Sequence, residues 1–319
     1  MSVISQKSIK EAKGGVPVNG VILVKGYSVK LTKNGKEYIE GQMQSGSVIP
    51  FKAWGQSTAF SMLKNNDFSN CPSMINGNFD EYNGTVSIVV DSIAAVEGYT
   101  PSQFLEVRYQ KDAYANALKQ IVQANTSEKG YSLASKILFN DAELFDRFAE
   151  EFAAKSHHDN CKSGLMVHTF KVLCLMSWVL QTYPNLLTDG ENKNSQDRKD
   201  LYMIGALLHD IGKTMEMNYG VYQPNSAISH RILGLDILYK YRADIESTYD
   251  EKWFRDLQSI MVEHHGEFAD PCRTVVAYVV HKVDCFDSVM TGLAQSLDES
   301  MMTDTSGSSV RIDGDFLTV

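Results

Sequence analysis

DLYMIGALLHDIGK (200–213) decides how the second half of this chain is read. Its apolar residues recur at helical spacing, and the run ends in an adjacent histidine–aspartate pair, His209-Asp210. The same helical period continues on both sides. Upstream it marks DAYANALKQIVQANT (112–126), SLASKILF (132–139), DAELFDRFAEEFAAKSHH (141–158) and HTFKVLCLMSWVLQTY (168–183). Downstream it marks AISHRILGLDILYKYRADI (227–245), EKWFRDLQSIMVEHH (251–265) and TVVAYVVHKVDCFDSVM (274–290). LTDGENKNSQDRKD (187–200) is a polar loop between helices. The spacing therefore predicts an all-α domain over 112–300, followed by a loose tail at 301–319.

Before residue 100 the period is two. VNGVILVKGYSVKLT (18–32) alternates and ends at the turn Lys33-Asn34-Gly35-Lys36. EYIEGQMQSGSVIPFKAWG (37–55) continues in strand-like segments, and FDEYNGTVSIVVDSIAAV (79–96) holds a second hairpin at Asn83-Gly84. STAFSMLKNN (57–66) reads as a short helix between them. About five strands with one late helix suit a small closed barrel of the OB type over residues 1–100. YTPSQFLEVR lies within the expected connector, 101–111 and the residues just before it. The fold class expected is thus β + α: an OB-fold barrel, then a helical domain.

Composition sets the outer bounds. The 319 residues are 43% hydrophobic and 22% charged, with only 7 prolines, which is a globular composition. The start of the chain lacks the apolar core of a signal peptide, and no uninterrupted apolar run approaches a membrane span. Five cysteines, odd in number and without a CxxC pair, read as reduced thiols of a cytoplasmic protein. The formal charge is −9, yet residues 1–64 carry nine lysines against Glu11, Glu37 and Glu40. A basic module joined to an acidic one suggests a polyanionic ligand at the N-terminal end, the alternative being a solvated lysine surface.

All eight histidines fall between 157 and 281. His168, His209-Asp210, His230, His264-His265 and Asp284 lie on helices or helix ends that can converge. Imidazole with carboxylate suits divalent ions such as manganese, iron or zinc, and the adjacent pair could serve one ion or let Asp210 bridge two. A thiolate zinc site is disfavoured, since no cysteine keeps the needed company. Each residue alone has an ordinary alternative as a core, capping or surface group; the joint pattern favours a metal site.

ALLHDIGK (206–213), with GLMVHT (164–169) before it and VVHKVDCFDS (279–288) after it, resembles the HD-domain phosphohydrolase superfamily. FAEEFAAKSHHDNCKSGLMVHT (148–169), ISHRILG (228–234), VEHHGEFADP (262–271) and, in the barrel, TKNGKEYIEGQM (32–43) and FKAW (51–54) extend the resemblance to YhaM-type 3′–5′ exoribonucleases. That resemblance implies metal ligation by His168, His209, Asp210 and Asp284, with His230, His264 and less firmly His265 completing a second position. It implies one or two divalent ions, manganese first among magnesium, iron, cobalt, nickel and zinc. Asp210 and Lys213 would be catalytic, Lys213 reaching the scissile phosphate, the alternative being a helix-end lysine. His157 and His158 match a paired histidine of that family and would line the substrate channel, the alternative being a helix end; Arg231, read as substrate-binding apart from the resemblance, would add positive potential for the polyanion. Ser163, Val167, Ser229 and Val283 depart from the family pattern and mark a distant member.

The activity expected is metal-dependent 3′–5′ exonuclease cleavage of single-stranded RNA, or DNA, to nucleoside 5′-monophosphates. Lys25, Lys33 and Lys52 would hold the backbone, with Tyr27, Tyr38, Phe51 and Trp54 under the bases, although part of that aromatic set belongs to the barrel core. Two alternatives stand beside it. One is a phosphohydrolase of a small linear or cyclic nucleotide, with the barrel gating the pocket or joining copies of the chain in a homo-oligomer. The other is a non-catalytic single-strand-binding protein, against which the complete ligand set argues.

Overall fold

The computed structural model describes residues 2–154, 159–188, 190, 195–223, 227–302, 309–312 and 315–318. The chain divides into two compact units, Met1–Val107 and Arg108–Val319.

In the first unit a short helix α1 (Gln6–Lys10) precedes strands β1 (Pro17–Leu31), β2 (Glu37–Ser45) and β3 (Ser47–Trp54), helix α2 (Thr58–Asn65), and strands β4 (Cys71–Tyr82) and β5 (Thr85–Ala95). They close into a barrel in the order β1-β2-β3-β5-β4, with β1 also pairing β4. This is the OB-type connection with its helix between β3 and β4. The β4–β5 turn puts both Asn83 (φ 50°) and Gly84 (φ 74°) in the left-handed region, as a two-residue I′ hairpin needs. Alternation along the strands turns Val24, Ile39, Phe51, Ile75 and Ile88 into the barrel core. A smaller cluster forms on the other face of β1, where Val21 and Leu23 pack on Phe104 of the turn Pro101–Phe104.

The second unit is helical: α3 (Lys111–Asn125), α4 (Glu128–Ala134), α5 (Ala142–Glu150), α6 (Gly164–Thr182), α7 (Gln196–Leu208), α8 (Lys213–Glu216), α9 (His230–Tyr239), α10 (Arg242–Thr248), α11 (Glu251–Glu263) and α12 (Val275–Met302). Its single large core joins residues such as Leu118, Phe148, Met176, Tyr202, Leu207, Leu257 and Val280. By length and hydropathy alone α6 could cross a bilayer, but 56% of that stretch is buried within the unit, as in a core helix.

Three expectations of helix extent differ from the structure. The stretch read as a polar loop over 187–200 gives its last five residues to α7, which starts at Gln196 behind the Ser195 side chain that caps it. The helix expected over 141–158 ends at Glu150, because the Glu151 carboxylate accepts backbone N–H groups from Phe152, Tyr219 and Gly220 and draws the chain off the helical path. The helix expected over 227–245 begins only at His230 and breaks between Tyr239 and Arg242. Short hairpins also occur within the helical unit, at Met217–Asn218 with Val221–Tyr222, and at Ser309–Ile312 with Asp315–Thr318. The first turns on Tyr219 (φ 51°) and Gly220 (φ 71°).

Candidate metal centre

Helix ends deliver most of the cluster. His168 lies one turn into α6, His209 and Asp210 close α7, His230 opens α9, His264 and His265 follow α11, and Asp284 projects from α12. Ser229 caps α9, its side chain accepting the Arg231 backbone N–H, and so fixes where His230 starts. Gly212 permits the close approach: a Cβ there would overlap the His230 carbonyl oxygen. Ser163, before α6, has φ 67°, a conformation that glycine adopts without strain.

These polar groups converge out of water. His168 is 1% exposed, Asp210 3%, and His209 and His264 are fully buried. Asp210 sits at the middle. Its Oδ2 lies 3.4 Å from His209 Nε2 and 3.7 Å from His168 Nε2, while its Oδ1 lies 3.4 Å from His230 Nε2 and 3.5 Å from His264 Nε2. Asp284 Oδ1 closes the first half, 3.1 Å from His168 Nε2 and 3.8 Å from His209 Nε2. His265 closes the second, its Nε2 3.0 Å from His230 Nε2.

Every Nδ1 of the four inner rings is engaged, so every Nε2 faces inward. His168 Nδ1 meets Asp287 Oδ2 at 2.7 Å, and His230 Nδ1 meets Glu216 Oε2 at 2.9 Å. His209 Nδ1 meets the Ala206 carbonyl at 2.8 Å, and His264 Nδ1 the Met261 carbonyl at 3.0 Å. Such backing fixes the tautomer that leaves a lone pair on Nε2. His209 Nε2, His264 Nε2 and Asp210 Oδ1 are buried without a hydrogen-bond partner. Burying such groups unpaired is costly; a cation in the first half would satisfy His209 Nε2, and one in the second half His264 Nε2 and Asp210 Oδ1. Ligands about 2.1 Å from one ion stand about 3.0–3.4 Å apart in octahedral or tetrahedral array, which the closest of these pairs match. His168, His209 and Asp210, and separately Asp210, His230, His264 and His265, can thus each hold a metal ion.

The electrostatics divide along the same line. Burial opposes charge on His168, but hydrogen bonds to Asp284 and Asp287 outweigh it and hold the imidazole up at about 9. Burial pushes His264 below its usual range, and burial with the adjacent His264 takes His265 down to about 3. Burial would raise the Asp210 carboxyl, yet Lys213 and then His209 keep it well below the usual carboxylate range. Lys213 Nζ lies 2.6 Å from Asp210 Oδ2 and donates to the Ala153 carbonyl at 2.7 Å.

The remaining expected residues are dispersed. Arg231 is tied to the Val262 carbonyl at 2.7 Å and to Asp270 at 2.6 Å, outside the cluster. His157 and His158 lie outside the described residues. In the barrel, Phe51 is fully buried and takes no part in a binding face. Tyr27 packs on the same core, and its hydroxyl donates to the Asn66 carbonyl and accepts from Phe68 N–H. Tyr38 and Trp54 are cross-strand partners with ring centroids 5.3 Å apart, half-exposed. Lys30 pairs across from Tyr38, and Lys52 pairs across from Glu40 one step along. Lys25 is half-buried, its ammonium pKa lowered by burial, while Lys33 is exposed at the β1–β2 turn. The basic character of residues 1–64 does not extend to the whole unit. Asp67, Asp80, Glu81, Asp91, Glu97 and Glu106 balance it, so Met1–Val107 carries no net charge. The asymmetry lies within the barrel, lysines on α1, β1–β3 and α2 and most acids on β4, β5 and beyond.

Two residues that sequence reasoning missed are Asp287 and Glu216, which back His168 and His230. Asp287 stands three residues after Asp284 on one helix, a spacing that places both on one face. Glu216 carried no such signal.

Residues 165–289 match the HD domain family model. Over 302 residues the chain is 24% identical to a protein named 3′-5′ exoribonuclease YhaM from Listeria monocytogenes serotype 4b, covering 89% of this chain and 88% of that one. The protein of the same name from Bacillus subtilis is 25% identical over 311 residues, covering 92% and 91%. A solved structure titled "Structure and Conformational Change of a Replication Protein A Heterotrimer Bound to ssDNA" matches 31% of this chain and 82% of its own at 13% identity, with a TM-score of 0.24, too low to speak to fold or ligand. The chain thus joins a closed five-stranded barrel to a helical unit that contains an HD domain, and along some nine-tenths of its length it is similar to proteins named YhaM.

Proposed function

We propose that this protein is a metal-dependent phosphodiesterase that removes nucleoside 5′-monophosphates from the 3′ end of single-stranded RNA. The observation that carries the reading is Asp210, whose two oxygens face two separate sets of imidazoles with buried, unpartnered ligand atoms. Similarity over most of the chain to proteins named 3′-5′ exoribonuclease supports the substrate.

His168, His209, Asp210 and Asp284 would hold one divalent ion, and Asp210, His230, His264 and His265 the other. Bound ions, manganese foremost, would lower the pKa of the attacking water and offset charge on the phosphate and the leaving oxygen. The chain supplies the rest. Lys213 offers an ammonium beside Asp210 to a non-bridging phosphate oxygen. The burial of Asp210, His168, His209 and His264 sets these groups in low-dielectric surroundings, where their charge interactions are strong. The Tyr38–Trp54 pair offers a stacking platform, with Lys30 and Lys52 for the backbone. Five free thiols support a cytoplasmic place for the enzyme.

One observation favours a second reading, hydrolysis of a small nucleotide. The helical unit carries all of the chain's −9 charge, which opposes the approach of a long polyanion. Incubating 5′-labelled RNA, matched DNA and a mononucleotide diester with Mn²⁺ or EDTA, with Asp210→Ala as control, separates the readings. A Mn²⁺-dependent ladder shortening from the 3′ end of RNA supports the exonuclease. Hydrolysis of the small diester with both polymers intact replaces it by the second reading.

A further inference from the structure

We infer that Asp287 and Glu216 are positioning residues that control, one each, the two ion positions on either side of Asp210; this rests on the two-ion reading above. The four inner imidazoles fall into two kinds. In each half, one ring is backed by a main-chain carbonyl (His209 by Ala206, His264 by Met261) and the other by a carboxylate (His168 by Asp287, His230 by Glu216). A neutral carbonyl fixes the tautomer and raises the basicity of the far nitrogen only modestly. A carboxylate, being charged, raises that basicity further, and so strengthens more the bond that nitrogen makes to a cation.

The two carboxylates are held in different ways, which makes them separate controls. Asp287 is buried and anchored through side chains: Thr291 Oγ1 donates to it at 3.2 Å, and Lys171 Nζ lies 3.5 Å away. Lys171 in turn binds Thr291 at 2.5 Å and Asp159 at 2.6 Å, and Asp159 accepts the Tyr109 hydroxyl at 2.5 Å. Glu216 instead grips one residue twice. Its Oε1 accepts the backbone N–H of His230 at 3.1 Å while its Oε2 meets the ring. The side chain that orients His230 therefore also pins the start of α9, whereas Asp287 orients His168 from α12 through an outer network. The ring contact of each carboxylate is to a different imidazole, His168 for Asp287 and His230 for Glu216.

Calorimetric titration of the metal-stripped full chain with Mn²⁺ tests this, with metal-free melting curves to confirm folding. The wild type should bind two ions. Asp287→Ala should weaken one by roughly 10–100-fold and leave the other unchanged, and Glu216→Ala should do the reverse. The double variant should then bind neither tightly. Asp287→Asn and Glu216→Gln, which keep an acceptor oxygen, should recover part of the loss, and they carry the test alone if an alanine variant melts early. The inference is overturned if an alanine variant binds both ions as the wild type does, if both ions weaken in step in each variant, or if the double variant keeps one tight ion. A wild type that binds no ion sinks the two-ion reading itself.

Discussion

The barrel and the HD-containing unit present their chemistry in opposite ways. In the helical unit the candidate groups are buried, each backed by a second residue, and several share one carboxylate. In the barrel they are half-exposed side chains on neighbouring strands, with the Tyr38–Trp54 ring pair at their middle. The difference teaches where failure should be collective and where it should be graded. Removing one member of the buried set leaves its partners unpaired in low dielectric, whereas a surface side chain takes only its own contact with it.

The largest effect expected is at Asp210. Asp210→Ala should abolish hydrolysis, by more than the roughly 10²–10³-fold that loss of one charge-stabilising group costs, since one residue serves both halves. Single-turnover assays in Mn²⁺ would check it; retention of a tenth of the activity would break the comparison. Next is the contrast between Phe51 and Trp54. Phe51→Ala should cost about 3–5 kcal/mol of stability in denaturant unfolding, while Trp54→Ala should change stability little. Equal losses would mean that Trp54 is core after all.

The same Trp54→Ala change should weaken RNA binding by about 1–3 kcal/mol, measured by fluorescence anisotropy, and leave hydrolysis of a small diester intact. Loss of both activities together would contradict a separate binding face. The smallest effect is that of Lys52→Ala, which should lower the salt slope of RNA binding by about 0.7 without altering base preference. An unchanged slope would remove Lys52 from the strand's path.

How much could be read in advance follows the same division. The buried cluster was legible because histidine is absent before residue 157 and because HDIGK ends a helix with both donor types side by side. The barrel was legible as strands but not as a surface. Alternation already forbids Phe51 and Trp54 from sharing a face, since they stand three residues apart on one strand, yet which parity points inward depends on the pairing with β2 and β5. The early end of α5 was not legible either. It depends on the Glu151 carboxylate meeting the 219–220 turn, nearly seventy residues away. Glu216 was hidden for the same reason, because only the folded chain brings it behind His230.

The central claim is that Asp210 is shared by two cations. Anomalous diffraction at the manganese edge from Mn²⁺-loaded crystals tests it most directly. Two peaks are predicted, one between Asp210 Oδ2 and the His168–His209 pair, the other between Asp210 Oδ1 and the His230–His264 pair. A single peak, or peaks that do not touch Asp210, would contradict the account.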